Sequence, residues 1–279
     1  MVQEDQALKG RTVAVTRPRE QSEDSVRAIE ERGGKAYLLP TIEIRQANDS
    51  SATKAFFDAL ASRKVDYVIL MSVIGVRYLL NAAVTLGIEN KMKAFLDETV
   101  TMAVGPKTAS EMEAKGIRVD LVPEKYTSEG ILQCLRDRGA KGKSIYIPRT
   151  SEAPPELAMK LLEMGGRVEE VYVYQSQLPN DRLLAENFVK DLSGGKINAI
   201  IFSSSLGVRN FFEMLKDIVS EKKLRDLIEK KLTVVAIGPT TAKTLAEAGL
   251  KINVMPEKHL FDEALNALAR YWNTQKLDA

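Results

Sequence analysis

Two segments of the chain place a threonine at the start of a predicted helix, directly after a short apolar run. They read AVGPKTASEMEAKGI at residues 103–117 and AIGPTTAKTLAEAGL at residues 236–250. Gly-Pro predicts a strand-to-helix turn, because proline is tolerated at the first helical position. Such a turn offers free backbone N–H groups, a helix dipole and the hydroxyl of Thr108 or Thr241, which together suit a carboxylate or phosphate. The plainer interpretation is that Gly-Pro only starts a helix and the threonine caps it.

Serines follow two other apolar runs, at Ser72 in LMSVIGVR and at Ser203, Ser204 and Ser205 in IFSSSLGVR. A serine between a strand and a helix commonly caps the helix, but three in a row exceed what one cap requires. Ligands of open α/β sheets bind at the carboxyl ends of the strands. We therefore predict that these serines and the threonines line a polar cleft between two domains.

Two arginines could add positive charge to the same cleft. Arg17 and Arg149 each come just after the first strand of a predicted domain. An arginine near a strand end is more often structural, and the sequence leaves both interpretations open.

The rarest residue types exclude several kinds of chemistry. His259 is the only histidine and Cys134 the only cysteine in 279 residues, so no two-His zinc site, CxxC metal site or internal disulfide exists. We expect His259 in a loop before a helix and Cys134 on the apolar face of a helix. No GxGxxG or GxxxxGK[ST] pattern supports a dinucleotide or a nucleoside triphosphate. These residue types predict neither a metal nor a cofactor.

Charge and hydropathy limit the partners. The chain has 40 Lys and Arg against 38 Asp and Glu, and a net charge of +2 provides no broad basic field for nucleic acid. The start MVQEDQALKG lacks the apolar core of a signal peptide, and apolar runs such as YVILM at residues 67–71 are too short to span a bilayer. We expect a cytoplasmic protein in which any anionic ligand is held locally.

The chain repeats itself with a nearly constant shift. Gly105 in the first half corresponds to Gly238 in the second, and Arg17 corresponds to Arg149. In each half, short β-branched runs alternate with longer stretches of helical period. The strands are apolar without alternation, which is typical of a parallel sheet covered on both faces. We predict an α/β fold of two doubly wound, parallel-sheet, flavodoxin-like domains from a tandem repeat.

Four phrases in this order and spacing resemble the uroporphyrinogen-III synthases. They are VTRP at residues 15–18, VYQS at 173–176, IFSSSLGV at 201–208 and the second Gly-Pro segment, and the resemblance spans about residues 11–269. It implies a cyclising hydro-lyase without metal or organic cofactor, which closes linear hydroxymethylbilane with inversion of the terminal pyrrole through a spiro intermediate. It also implies a monomer in tetrapyrrole biosynthesis, with possible handover of substrate from hydroxymethylbilane synthase.

The resemblance also implies an exchange between the repeats. One domain per repeat would split the chain near Gly142, whereas the family's arrangement predicts residues 1–40 and 178–279 in domain 1 and residues 47–170 in domain 2. Residues 41–46 and 171–177 would form the two-stranded antiparallel β ladder that joins the domains.

The family's functional residues map onto this chain by motif. The tyrosine proposed to assist departure of the hydroxyl group maps to Tyr174 in VYQ. The serine after the IF strand maps to Ser203, but SSS is one residue longer than the common form, which leaves Ser203 and Ser204 as alternatives. The first-domain SVIGVR departs from the family pattern at Ser72. The candidate substrate-binding residues are Thr108, Thr241, Thr240, Ser203, Ser204, Ser72, Arg17 and Arg149.

The implied chemistry needs no histidine. A hydroxymethylpyrrole loses water readily because the ring nitrogen pushes electrons out, so a tyrosine hydroxyl such as that of Tyr174, or an ordered water, can supply the acid assistance. Folding the flexible substrate into the attacking geometry is the harder task, and a two-domain cleft can supply it. A clamshell binding module without catalysis and a homologue that has lost activity stay open as alternatives.

Overall fold

The computed structural model describes residues 6–47 and 51–277. Residues 1–5, 48–50 and 278–279 of the predicted domains lie outside the described residues. The strands are β1 (Thr12–Val15), β2 (Lys35–Leu38), β3 (Glu43–Gln46), β4 (Tyr67–Leu70), β5 (Val100–Ala103), β6 (Ser144–Thr150), β7 (Arg167–Gln177), β8 (Ala199–Phe202) and β9 (Thr233–Ala236).

Helices connect the strands. They are α1 (Glu23–Glu31), α2 (Ser51–Ala61), α3 (Val73–Thr85), α4 (Glu89–Asp97), α5 (Pro106–Ala114), α6 (Ser128–Arg138), α7 (Glu156–Glu163), α8 (Arg182–Ser193), α9 (Ser205–Leu215), α10 (Glu221–Lys231), α11 (Pro239–Glu247) and α12 (Phe261–Leu277). A single 3-10 turn at Arg19–Gln21 precedes α1. Cys134 lies in α6 and packs against a buried core, and His259 lies in the loop before α12, as predicted.

The described chain divides into two compact units. Unit 1 comprises Met1–Glu43 and Gln177–Ala279, and unit 2 comprises Ile44–Ser176. The divisions fall within β3 and at the end of β7, so each unit combines strands from both repeats. The prediction of two parallel-sheet α/β domains is confirmed.

The sheet of unit 1 has the strand order β2-β1-β8-β9, and all three pairings are parallel. A parallel bridge from Val235 to Val254 adds a short fifth position beside β9. This is the flavodoxin-like order, in which the connection reverses direction between the strands β1 and β8.

The sheet of unit 2 has the order β3-β7-β6-β4-β5. The pairings from β7 through β6 and β4 to β5 are parallel, and a bridge from Met102 to Leu121 adds a short sixth position beside β5. Without β3 this is the same order as in unit 1, and the reversal falls between β6 and β4.

The ladder strands β3 and β7 run in opposite directions. Ala47 N donates to Val173 O at 3.2 Å, and Gln177 Nε2 donates to a carboxylate oxygen of Glu43 at 3.0 Å. The partner number falls as the residue number rises, which defines an antiparallel pair. Since β7 also pairs with β6 along most of its 11 residues, the ladder continues the sheet of unit 2.

Alternate residues of each central strand enter opposite cores, as doubly wound sheets require. In unit 1, Ile200 and Phe202 of β8 pack with helices α8 to α11, whereas Ala199 and Ile201 pack with α1 and α12. In unit 2, β4 divides in the same way between α2 to α5 on one face and α6 and α7 on the other. The apolar face of α3 is buried, whereas Phe212 on the equivalent face of α9 is only partly buried.

No helix within the described residues is long and apolar enough to cross a membrane.

Candidate functional site

The carboxyl ends of the parallel strands gather the predicted site residues at one edge of each sheet. Such edges, at the point where the strand order reverses, are where open α/β sheets bind ligands. Edge 1, in unit 1, comprises Thr16 and Arg17 after β1, residues 203–205 after β8 and residues 238–241 after β9. Edge 2, in unit 2, comprises Arg149 near the end of β6, residues 71–72 after β4, residues 105–108 after β5, and Tyr174 of β7.

Tyr174 lies beside Ser72 of the β4–α3 connection and Tyr78 of α3. Its hydroxyl oxygen is 3.4 Å from Ser72 Oγ, at the outer limit of a hydrogen bond. Its ring lies against Tyr78 of α3, with 5.7 Å between centroids and 36° between planes. The sequence suggests Tyr172, two residues away on the same strand, as the phenolic neighbour of Tyr174, but the fold brings Tyr78 of α3 against Tyr174 as well.

The backbone at Gly75 lets α3 approach this group. A Cβ at Gly75 would lie 3.2 Å from Ser72 Oγ, 3.3 Å from Pro148 O and 4.0 Å from Cε1 of Tyr174. The first turn of α3 thus packs directly on the end of β6 and beside the Tyr174 ring. A larger residue here would push into this contact.

The serines of the two edges have separate tasks. Ser72 and Ser204 cap α3 and α9, since their hydroxyl oxygens accept from Gly75 N at 2.9 Å and Gly207 N at 3.0 Å. Ser205 Oγ donates to Thr240 O at 3.1 Å and so ties α9 to α11. Within the described chain Ser203 makes no side-chain hydrogen bond. Its hydroxyl is the one of the three that the fold leaves for another partner.

The two Gly-Pro turns match each other closely. Pro106 and Pro239 occupy the first helical positions of α5 and α11, as predicted, and neither helix has a side-chain cap. Thr108 and Thr241 are 4% and 3% exposed, and within the described residues neither hydroxyl has a hydrogen-bond partner. The interpretation of these threonines as helix caps is wrong. Among the described residues neither threonine oxygen belongs to the fully buried atoms that lack a partner, so both hydroxyls are accessible to a ligand at these edges.

A ring covers the glycine of each turn. The Cβ position of Gly105 would lie 3.0 Å from Tyr126 Cβ and 3.1 Å from Cγ, and that of Gly238 would lie 3.5 Å from His259 Cγ. Tyr126 is 60% exposed, and His259 is exposed as well. Sequence reasoning missed Tyr126, although the tripeptide PEK, which is repeated directly before Tyr126 and before His259, carried the signal.

The two arginines differ in their surroundings. Arg149 is 7% exposed, and its guanidinium donates to Glu170 at 2.7 Å and to Pro154 O at 3.1 Å. This favours the structural interpretation of Arg149, although its buried Nε has no partner among the described residues.

Arg17 is half-buried and stacks on Phe261, with 5.0 Å from Cζ to the ring centroid. Burial lowers the pKa of Arg17, and the nearby Asp24 and Asp262 act against that shift. A guanidinium stays charged under all ordinary conditions, so Arg17 is a fixed positive charge at edge 1.

Among the described residues no group of three or more His, Cys, Asp or Glu side chains is arranged to hold a metal ion.

The comparisons with known proteins agree with this architecture. The family described as "Uroporphyrinogen-III synthase HemD" matches residues 23–266. A Methanothermobacter thermautotrophicus protein, whose name assigns it provisionally to the uroporphyrinogen-III synthases, is 34% identical over 92% of this chain and 97% of its own length. The uroporphyrinogen-III synthase of Chlorobaculum parvum is 29% identical over 88% of this chain and 93% of its own.

A solved structure shares the fold. The uroporphyrinogen-III synthetase of Helicobacter pylori superimposes with a TM-score of 0.61 at 18% identity, over 93% of this chain and 99% of that one. The fold and the sequence matches together define a two-domain α/β protein of the tetrapyrrole pathway. The chain belongs to the uroporphyrinogen-III synthase family.

Proposed function

We propose that the protein is an active uroporphyrinogen-III synthase, a hydro-lyase that closes hydroxymethylbilane with inversion of the terminal pyrrole. The observation that carries the proposal is the contact of Tyr174 with Ser72 at the carboxyl edge of a parallel sheet, in a chain of this family. A phenol at a ligand-binding edge is a group that can donate a proton to a departing hydroxyl.

Hydrogen bonding at edge 2 suits Tyr174 to that role. Ser72 Oγ accepts from Gly75 N, so the serine hydroxyl hydrogen is free to point to the Tyr174 oxygen 3.4 Å away. In that arrangement the phenol accepts from Ser72 and keeps its own proton for the substrate. The N-terminal end of α3, where this chain of hydrogen bonds begins, favours any negative charge that develops on the phenol oxygen.

The proton balance of the reaction closes on this residue. Tyr174 gives its proton to the hydroxyl group, which leaves as water while the pyrrole nitrogen supplies electrons for an azafulvene. The substituted carbon of the terminal pyrrole attacks to form the spiro intermediate, which reopens and closes at the unsubstituted carbon. The proton lost from that carbon when the pyrrole ring is restored returns the phenol to its starting state.

Edge 1 suits the carboxylates of the substrate. We assign Ser203, Thr241 and Thr240, with the backbone N–H groups at the start of α11, to hydrogen bonds with acetate and propionate groups. The unbonded hydroxyls of Ser203 and Thr241 and the fixed charge of Arg17 support this assignment. Hydrogen bonds to charged groups contribute about 1.5 to 3 kcal/mol each when sheltered from water. Thr108 would serve edge 2 in the same way, and we give Arg149 a structural role.

The experiment supplies hydroxymethylbilane, generated enzymically, to the purified protein and resolves the porphyrin isomers after oxidation. We expect the type III isomer in excess over the isomer formed by closure without inversion. Binding of the bilane without any increase in the type III isomer would replace this proposal with a non-catalytic binding module or an inactive homologue.

The proposal extends to a monomer that acts in the cytoplasm and receives substrate from hydroxymethylbilane synthase. Light scattering at assay concentration tests the monomer, and cell fractionation tests the location. Direct handover is tested in a coupled assay of the two enzymes with an added competitor that binds free bilane. Failure of the competitor to intercept the bilane would support handover.

A further inference from the structure

We propose that Tyr78 is a positioning residue, which holds the phenol of Tyr174 where it can donate its proton. This inference rests on the proposed function. Tyr78 does not reach the reacting atoms in the mechanism above and acts only through its ring contact with Tyr174, at 5.7 Å between centroids. The planes of the two rings are tilted by 36° relative to each other.

Tyr78 is itself fixed at its far end. Its hydroxyl donates to Ile44 O of β3 at 2.7 Å, a short and well-formed hydrogen bond. The residue therefore spans from α3 to the edge strand of the sheet, with its ring beside that of Tyr174. A ring held by its backbone at one end and by a hydrogen bond at the other has little freedom to rotate.

Gly75 and Tyr78 act from the same face of α3, because residues three apart are neighbours on a helix. A Cβ added at Gly75 would lie 4.0 Å from the Tyr174 ring, so the helix passes close to that ring, and Tyr78 contacts the ring from the next turn. Together with Ser72 they leave Tyr174 few alternative side-chain torsions. Orientation of this kind matters because small displacements of a catalytic group carry large rate costs.

The equivalent position in unit 1 shows what the ring adds. Asn210 occupies the place of Tyr78 in the second repeat, directly after the matching Val-Arg pair, and its Nδ2 donates to Thr41 O at 2.8 Å. The same helix position thus makes the same kind of bond to a backbone carbonyl in both units, and an amide is sufficient for it. The aromatic ring occurs in the unit that carries Tyr174. We therefore attribute the ring to the contact with Tyr174, since the bond to the backbone carbonyl does not require it.

The test is a double-mutant cycle with Tyr78→Leu and Tyr174→Phe, scored by kcat and KM for hydroxymethylbilane. We expect Tyr78→Leu to lower kcat by about 10- to 100-fold, the range that misplacement of a catalytic group produces, with KM changed by less than about twofold. In the Tyr174→Phe background the same substitution should lower kcat no further, because no phenol proton remains to be positioned. Tyr78→Phe keeps the ring but loses the hydrogen bond to Ile44 O. Its kcat should therefore lie between that of the unaltered protein and that of Tyr78→Leu.

Tyr146→Leu is the matched control. Tyr146 is a half-buried tyrosine of β6 in the same unit, with its ring 5.1 Å from that of Phe56, and its register partner on β7 is Glu169 rather than Tyr174. We expect it to lower the thermal midpoint about as much as Tyr78→Leu does while leaving kcat unchanged. Circular dichroism checks that each variant is folded. If Tyr78→Leu does not fold, Tyr78→Phe replaces it in the double-mutant cycle.

The outcomes separate this inference from the proposed function. Equal losses from Tyr78→Leu in both backgrounds would show a general structural effect and overturn the inference alone. Loss in KM rather than kcat would do the same, since it would make Tyr78 a binding residue. Absence of turnover by the unaltered protein would overturn the proposed function, and the inference with it.

Discussion

Edge 1 and edge 2 have the same arrangement of caps and turns but different functional side chains. Both have a serine cap bonded to a glycine N–H and a Gly-Pro turn with a buried threonine, so duplication preserved the parts that place backbone and helices. The two edges differ at side chains that take no part in these caps and turns. Edge 2 carries Tyr174 and a neutralised arginine, whereas edge 1 carries Ser203 at the position where edge 2 has the apolar Met71. We infer that proton donation belongs to edge 2, whereas carboxylate binding depends mainly on edge 1.

The largest effect should come from removing the phenol of edge 2. Tyr174→Phe should lower kcat by about 10² to 10⁴, the contribution of a well-placed general acid, while the isomer formed stays type III. Tyr172→Phe is the matched control, since its hydroxyl lies 3.5 Å from Glu170, and it should act at nearly the normal rate. Steady-state kinetics with chromatography of the isomers measures both. A Tyr174→Phe enzyme of normal rate would remove Tyr174 from the mechanism and leave orientation as the main catalytic device.

Arg149 and Arg17 should differ in how much they contribute to the free energy of unfolding. Glu170→Gln leaves the buried Arg149 charge without its 2.7 Å partner, and breaking such a pair costs about 3 to 5 kcal/mol of unfolding free energy. Arg17→Met removes a guanidinium stacked on Phe261, which should cost about 1 kcal/mol and raise KM instead. Urea unfolding and KM are measured for both. Equal destabilisation would contradict the assignment of Arg17 to the ligand.

The ring contacts predict unequal tolerance of alanine at the two turns. Gly105→Ala would put a methyl group 3.0 Å from Tyr126 Cβ, close to its backbone, and such overpacking costs about 1 to 3 kcal/mol. Gly238→Ala meets His259 at 3.5 Å, an ordinary contact, and should cost less. Neither backbone angle requires glycine, since φ is −173° and −148°. Thermal unfolding of the two variants decides, and a reversed order would show that the rings do not set the tolerance.

Single hydroxyls of edge 1 should matter modestly. Ser203→Ala and Thr241→Ala each remove one donor among several, and the neighbouring donors should replace part of the about 1.5 to 3 kcal/mol of a bond to a carboxylate, so each should lower kcat/KM by about 2- to 13-fold, which corresponds to about 0.5 to 1.5 kcal/mol. Met71→Ala at the matching place in edge 2 should leave kcat/KM nearly unchanged. Kinetics under substrate-limited conditions gives the ratio, and a normal ratio for both hydroxyl variants would remove edge 1 from carboxylate binding.

The smallest effect concerns an ion pair present in one unit. Arg77 donates to both carboxylate oxygens of Glu111 at 2.8 and 3.1 Å, whereas the position equivalent to Glu111 in unit 1 is Thr244. The hydrogen bond from Arg77 lowers the pKa of Glu111 in the folded state, with burial acting against it. The pair therefore stabilises the fold above the pKa of an unfolded glutamate, and that contribution is lost as pH falls through the lowered folded value.

Glu111→Gln should accordingly cost about 0.2 to 1 kcal/mol at pH 7, and this cost should shrink as the pH falls through the lowered pKa of Glu111, where the carboxylate of the parent protein becomes protonated. Thermal midpoints measured from pH 7 to pH 3 give the difference. A difference that stays constant across this range would mean that Glu111 contributes through packing rather than charge.

The sequence by itself determined the frame of this protein. The nearly constant shift between the repeats predicted duplicated α/β units, the unbroken apolar runs predicted parallel sheets, and Gly-Pro predicted the two helix starts. These inferences succeed because local steric rules and strand burial act over a few neighbouring residues. The family resemblance placed Tyr174 at a candidate site by its motif.

Only the tertiary structure decided which side chains meet. Tyr78 and Tyr174 lie far apart in the chain, and no period in the sequence pairs them. The three consecutive serines before and at the start of α9 look alike in the sequence. In the structure Ser204 caps α9, Ser205 bonds to α11, and Ser203 has no side-chain hydrogen bond among the described residues. Arg17 and Arg149 align in sequence, yet only the packed sheet puts Glu170 beside Arg149. Contacts between distant segments depend on how helices lie on the sheet, and that geometry is set by packing of the whole unit rather than by local sequence.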